Sequence, residues 1–166
     1  MRHDIFPTPV WYIEGTSQKL VDELYKGAYR FKKKHPSENR SNQGGYQTPA
    51  FNWEEFHPQG IEYIDKVVGD IFKFKVESWW YNINSTGAWN APHTHPASDF
   101  ALVLYLTDSD GLLTLVNPRH YIHTDDVKIK ANKGDIVMFP SDILHYVMPN
   151  QKEEDRISIS MNLQLC

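Results

Sequence analysis

Cysteine is almost missing from this chain: the only one is Cys166, the last of 166 residues. One thiol cannot close an intramolecular disulfide or build a cysteine-based zinc site, so a reducing compartment, the cytoplasm, is expected. Long apolar runs are missing too. Nothing approaches the roughly 20 apolar residues of a membrane span, and the opening MRHDIFPTPVW lacks the apolar centre of a secretory leader. No membrane partner is expected. Positive charge is not in excess either, with 17 Lys and Arg against 21 Asp and Glu and a net charge of −4. Nucleic-acid binding draws on a basic surface that displaces counterions, so no nucleic-acid partner is expected. No repeat, low-complexity tract or linker divides the sequence. Its length fits one domain, residues 1–166, able to bury a core without staples.

What is present changes character near residue 74. Residues 5–13, IFPTPVWYI, read as an extended edge segment, because Pro7 and Pro9 are tolerated only at an edge or before a strand. From Ser17, a capping residue, Leu20, Val21, Leu24, Ala28 and Phe31 recur at helical spacing. Lys32, Lys33 and Lys34 suit the negative end of that helix and are read as solvated. Residues 36–50 form a polar loop, and a second helix runs from Pro58 to about Ile71. Helical support over 17–71 is then followed by short strands over 74–164, bounded by Gly, Pro, Asn and Asp. That order predicts an α+β chain: a double-stranded β-helix, or jelly roll, with N-terminal helices packed on one face.

Three short segments carry chemistry. In GAWNAPHTHP, residues 87–96, His93 and His95 stand two apart, so an extended backbone aims both rings the same way. Two imidazoles on one face make two legs of a metal tripod, although surface histidines have the same spacing. In GDIVMFPSDILH, residues 134–145, a buried strand breaks at Pro140 and delivers His145. It reads either as the third ligand or as a polar residue closing a core strand. In RISISMN, residues 156–162, alternation puts Arg156, Ser158, Ser160 and Asn162 on one face and Ile157, Ile159 and Met161 on the other. That polar row lies either in water or in the hollow of the roll. In a hollow, the planar fork of Arg156 would grip a carboxylate by charge-assisted bonds. Trp79 and Trp80 are adjacent and must face opposite ways. Core packing is expected to claim one and helix-to-sheet packing the other, with stacking on substrate the lesser alternative.

Taken in order, these segments resemble the Fe(II)/2-oxoglutarate oxygenases, which carry a His-x-Asp/Glu pair, a distal His and, about ten residues on, an Arg-x-Ser. Here they are His93-Thr94-His95, His145 and Arg156-Ile157-Ser158. The likeness is strongest to oxygenases of this kind from marine bacteria and their viruses. It takes in the FPTPVW segment at 6–11, Trp80 to Asn82, the HTHP motif at 93–96, Tyr105-Leu106, the NPR turn at 117–119 and the RISISMN strand. More distantly, the chain resembles the prolyl hydroxylases.

The resemblance implies a hydroxylase that couples oxidative decarboxylation of 2-oxoglutarate to hydroxylation, with O2 and an unidentified substrate, a prolyl or amino-acid residue among those permitted. It implies Fe(II) on His93, His95 and His145, and 2-oxoglutarate on Arg156, Ser158, Tyr105 and Asn82. Arg119 and Asn162 are expected at the substrate. The chain departs from the family where His95 replaces the usual carboxylate. Either three imidazoles hold the iron, leaving its full +2 charge, or Asp99 takes the place of His95. Two rivals share the roll: a cupin-type metal enzyme, either a three-His dioxygenase or a sugar epimerase, and a metal-free binding module. Neither requires Arg156-x-Ser158 on the last strand.

Overall fold

The computed structural model describes residues 7–109, 112–118 and 125–166. In chain order the strands and helices are β1 (Trp11–Ile13), α1 (Gln18–Lys34), β2 (Asn42–Gln43), β3 (Tyr46–Gln47), α2 (Pro58–Gly69), β4 (Phe74–Asn84), β5 (Trp89–His93), β6 (Phe100–Tyr105), β7 (Leu113–Leu115), β8 (Val127–Ile129), β9 (Ile136–Pro140), β10 (His145–Val147) and β11 (Arg156–Leu165). The strands form two antiparallel sheets, in the orders β1-β9-β6-β11-β4-β3 and β2-β5-β10-β7-β8. This is the expected jelly roll. No helix among the described residues is long and apolar enough to cross a membrane.

The helices begin and end where their sequence says. Ser17 Oγ accepts from the backbone N–H of Leu20 at 3.3 Å, satisfying one orphan donor of the first turn of α1. Pro36 follows the extended His35 cap and cannot continue the helix. Pro58 opens α2 at a position where its missing N–H costs nothing. The second helix stops at Gly69, two residues short of the expected end, with Asp70 as its cap. The expected loop over 36–50 contains the two-residue strands β2 and β3. They join opposite sheets, β2 pairing with β5 and β3 with β4. Gly45 lies between them because Asn84 leaves no room: a Cβ there would collide with Asn84 Oδ1.

Strand parity in the six-stranded sheet divides the interior. Ile157, Ile159, Met161 and Leu163 of β11 join Trp79, Tyr81 and Ile83 of β4 in a core shared with Leu20, Val21, Leu24 and Ile64 of the helices. The opposite face of the sheet looks into the roll, where Ala101, Tyr105, Val137 and Phe139 pack with Leu113 and Leu115 of the other sheet. Trp79 anchors the helical side. Its ring meets Phe31, Phe51, Phe56 and Tyr81 at centroid distances of 4.9 to 5.5 Å, and its Nε1–H donates to Asn52 O at 2.8 Å. Removing a fully buried ring of this size leaves a cavity that such a close-packed cluster cannot fill. Trp79→Ala is expected to lower unfolding free energy by about 3–5 kcal/mol in urea titrations, and a loss below about 1 kcal/mol would contradict this packing.

Candidate metal centre

Two strands bring the first two histidines together. His93 ends β5, His145 opens β10, and they are direct partners across that antiparallel pair. The register then slips before Val147, which pairs with Asn90, close to Pro92 with its missing N–H. His95 lies beyond the end of β5. Its approach comes not from strand parity, as the His-x-His spacing suggested, but from a backbone bond of its N–H to Ser141 O at 2.9 Å. The three side chains offer ligand atoms that all lie within 4.8 Å of one another.

The hydrogen bonds decide which nitrogens face inward. Nδ1 of His93 lies 2.7 Å from Ala91 O, and Nδ1 of His145 lies 2.8 Å from Ile143 O. Nδ1 of His95 lies 2.7 Å from Asn162 Oδ1. A carbonyl oxygen can only accept, so each Nδ1 carries the proton and each Nε2 presents a lone pair. The Nε2 atoms of His95 and His145 are 3.2 Å apart. Two lone pairs at that separation repel unless a cation lies between them. Two imidazole nitrogens held about 2.1 Å from one metal, at right angles, stand about 3 Å apart. The donors therefore fit a divalent transition ion, and imidazole suits iron, zinc, copper and nickel alike.

A second group of polar side chains lines the same hollow. Register sets Asn82, Ser158 and Tyr105 side by side across β4, β11 and β6, with Arg156 opposite Asn84 in the next row. Arg156 is 5% exposed, and its guanidinium donates to Met148 O at 2.8 Å and Ala88 O at 3.5 Å. Asn82 Nδ2 donates to Ser160 Oγ at 3.0 Å, while its buried Oδ1 has no partner among the described residues. Burial drives the Tyr105 hydroxyl well above the ordinary phenol range, against the pull of Arg156, so it stays a proton donor.

Residues 115–162, from β7 through most of β11, match the family model described as "Putative 2OG-Fe(II) oxygenase". Over that stretch the chain is similar to the 2OG-Fe(II) oxygenases. No curated protein matches it. Among solved structures it is similar to a prolyl-4-hydroxylase of Pseudomonas putida, with 16% identity, a TM-score of 0.70 and coverage of 95% of this chain and 92% of that one. It is also similar to the viral collagen prolyl hydroxylase of Paramecium Bursaria Chlorella virus-1 in its 2-oxoglutarate complex, with 20% identity, a TM-score of 0.66 and coverage of 95% and 96%. A third is HygX of Streptomyces hygroscopicus with nickel and 2-oxoglutarate bound, with 9% identity, a TM-score of 0.69 and coverage of 95% and 83%. At these identities the likeness is one of fold.

Within the roll several residues take places the sequence did not foretell. Asp99, the alternative third ligand, turns away: its Oδ2 accepts from the backbone N–H of Leu165 at 2.8 Å, so His95 completes the group. Asn162, expected at the substrate, lines the groove beside the histidines, where its Oδ1 accepts from His95 Nδ1 and its Nδ2 donates to Ser78 Oγ at 3.2 Å. Trp80, expected in core or helix packing, stacks on His95 at 5.6 Å and 20°. Arg119 lies outside the described residues. Next to the histidines a groove of 490 Å³ opens between residues 38–50 and 91–96, with Ser78 and Trp80 also in its lining.

Burial keeps the three imidazoles neutral, as metal ligands must be. Desolvation pushes His145 down to about 3 and His95 to about 4, with His93 adding to both, and it lowers His93 as well. These folded values lie below the ordinary 6.5 of an unfolded chain. Below that value the unfolded chain takes up protons that the folded one refuses, so this part of stability is full above it and is lost as pH falls. Metal-free protein is expected to lose unfolding free energy from about pH 6.5 towards about pH 4, more steeply than His145→Gln. Parallel pH profiles for the two proteins would refute this.

Proposed function

We propose that this oxygenase holds Fe(II) on His93, His95 and His145 and binds the remote carboxylate of 2-oxoglutarate at Arg156, with Ser158, Tyr105 and Asn82 beside it. One observation carries the reading: three imidazoles, two buried and one half-buried, give their Nδ1 protons to oxygen acceptors and bring ligand nitrogens within 4.8 Å of one another. Iron and 2-oxoglutarate, when bound, supply oxidative decarboxylation of the keto acid with O2, coupled to hydroxylation of a C–H bond.

The chain's own contribution is position and exclusion. Arg156 is held by two backbone carbonyls flanking the metal strands, Ala88 before β5 and Met148 after β10. A guanidinium fixed in advance loses little freedom when it meets a carboxylate, so the keto end arrives oriented. Tyr105, kept as a phenol, adds a donor to the same carboxylate. Val137 and Phe139 pack the interior behind it, where water would divert the oxidant. Phe139 also meets the His145 ring edge-on at 4.7 Å.

The groove beside His93 and His95 is our assignment for the prime substrate. One wall carries the β2–β3 turn and the other the end of β5, and buried Gln47 Oε1 has no partner among the described residues and suits a substrate N–H. A prolyl or other amino-acid residue in an extended peptide fits this trough, and two of the similar folds are prolyl hydroxylases. With Cys166 a free thiol, a reducing cytoplasm suits both the chain and ferrous iron.

Succinate release from 2-oxoglutarate tests the assignment, measured with and without prolyl peptides. It is expected to require Fe(II) and to rise with a peptide that fills the groove. Arg156→Ala removes a buried charge partner worth about 2 kcal/mol or more, so the Kd for 2-oxoglutarate should rise by about 30-fold or more. An unchanged Kd would instead favour a cupin-type metal enzyme on the same roll. Absence of metal uptake would favour a metal-free binding module.

A further inference from the structure

We propose that Asn162 and Trp80 are positioning residues that make His95 a fixed, uncharged third ligand, and that residue 162 thereby sets the charge of the metal centre. This rests on the three-histidine reading above and adds what holds the third histidine. His95 has no strand to hold it, since β5 ends at His93. Among the described residues, its N–H bond to Ser141 O is the one backbone bond that secures it, so its ring depends on side chains.

Asn162 supplies the first restraint. Its Oδ1 takes the Nδ1 proton at 2.7 Å, and its Nδ2 donates to Ser78 Oγ at 3.2 Å. Clamped at both ends, the amide cannot turn its oxygen away from the ring. The pairing of β11 with β4 also breaks its register directly after this residue, from Asn162 opposite Ser78 to Leu163 opposite Val76. An irregularity of this kind re-aims a side chain, and this one falls where the amide must reach a histidine 67 positions away in sequence.

Trp80 supplies the second restraint. Its indole stacks on His95 at 5.6 Å and 20°, and His95 stacks on His145 at 5.0 Å and 10°. The third ligand is thus the middle ring of a near-parallel stack and is held against rotation out of the site. Asn162 orients the ring without lending charge. An aspartate in its place would accept the same proton while adding a negative charge beside the ligand, making the imidazole more basic. With asparagine, all three donors are neutral and the ion keeps its full +2 charge.

The test uses the full chain and Co(II) as probe, followed by titration and by its visible absorption band, with folding checked by circular dichroism. Asn162→Leu is expected to weaken Co(II) binding by about 10–100-fold and to move the band toward that of His95→Gln. Asn162→Asp keeps the acceptor and the shape. It is expected to retain Co(II) affinity within a few-fold of wild type, and in the iron-loaded protein to shift the Fe(III)/Fe(II) potential to lower values. Wild-type affinity and band in Asn162→Leu, or an unshifted potential in Asn162→Asp, would overturn the proposal. Should Asn162→Leu fail to fold, the aspartate variant decides alone. Failure of the metal reading itself looks different: wild type would then take up no Co(II), or His145→Gln would bind it as well as wild type does.

Discussion

Everything in this molecule turns on three protons held in the wrong place for repulsion to be avoided. Each imidazole of His93, His95 and His145 gives its Nδ1–H to a fixed oxygen, which forces its Nε2 lone pair inward. Two of the three restraints share a local device, since His93 and His145 each bond the carbonyl two residues before them, Ala91 and Ile143. The third is tertiary and draws on β11. Burial removes the usual escape, because protonating a ring would put an unsolvated charge in the roll. A divalent cation relieves the repulsion.

The six-stranded sheet makes this arrangement stable by using one strand for two purposes. Alternate residues of β11 face the helices as Ile157, Ile159, Met161 and Leu163, and these are wholly buried. The residues between them face the hollow, where Arg156 and Ser158 stand at one end and Asn162 at the other. The hydrophobic burial that holds the helices on the sheet therefore also fixes the spacing between the guanidinium and the third histidine. The turn between β2 and β3 ties the two sheets together at the groove. Gly45 permits its close approach to Asn84.

Much of this is visible in the sequence wherever the signal is local and periodic. The alternation of RISISMN predicts which face of β11 meets the hollow, and the helical spacing from Leu20 to Phe31 predicts α1, because burial imposes those periods directly. The gathering of His93, His95 and His145 follows from a pattern spread over three segments. Less was legible where geometry depends on long-range contact. Adjacency says that Trp79 and Trp80 face opposite sides, but not that Trp80 lies against His95. Asn162 reads as one more polar residue in a row, since neither its partner in the HTHP loop nor the register slip beside it has a local signature. The strands β2 and β3 are two polar residues each, too short for any period. Asp99 follows Pro96 and positive-φ Ala97, so its direction could not be taken from strand parity.

A three-imidazole centre makes a distinctive demand on the metal's surroundings, and X-ray absorption at the iron edge reads it directly. Fe(II)-loaded protein without cosubstrate should show the outer-ring scattering of three imidazoles, with nitrogen donors at about 2.1 Å. A spectrum fitted by two imidazoles and a carboxylate, or by solvent oxygens alone, would contradict the account.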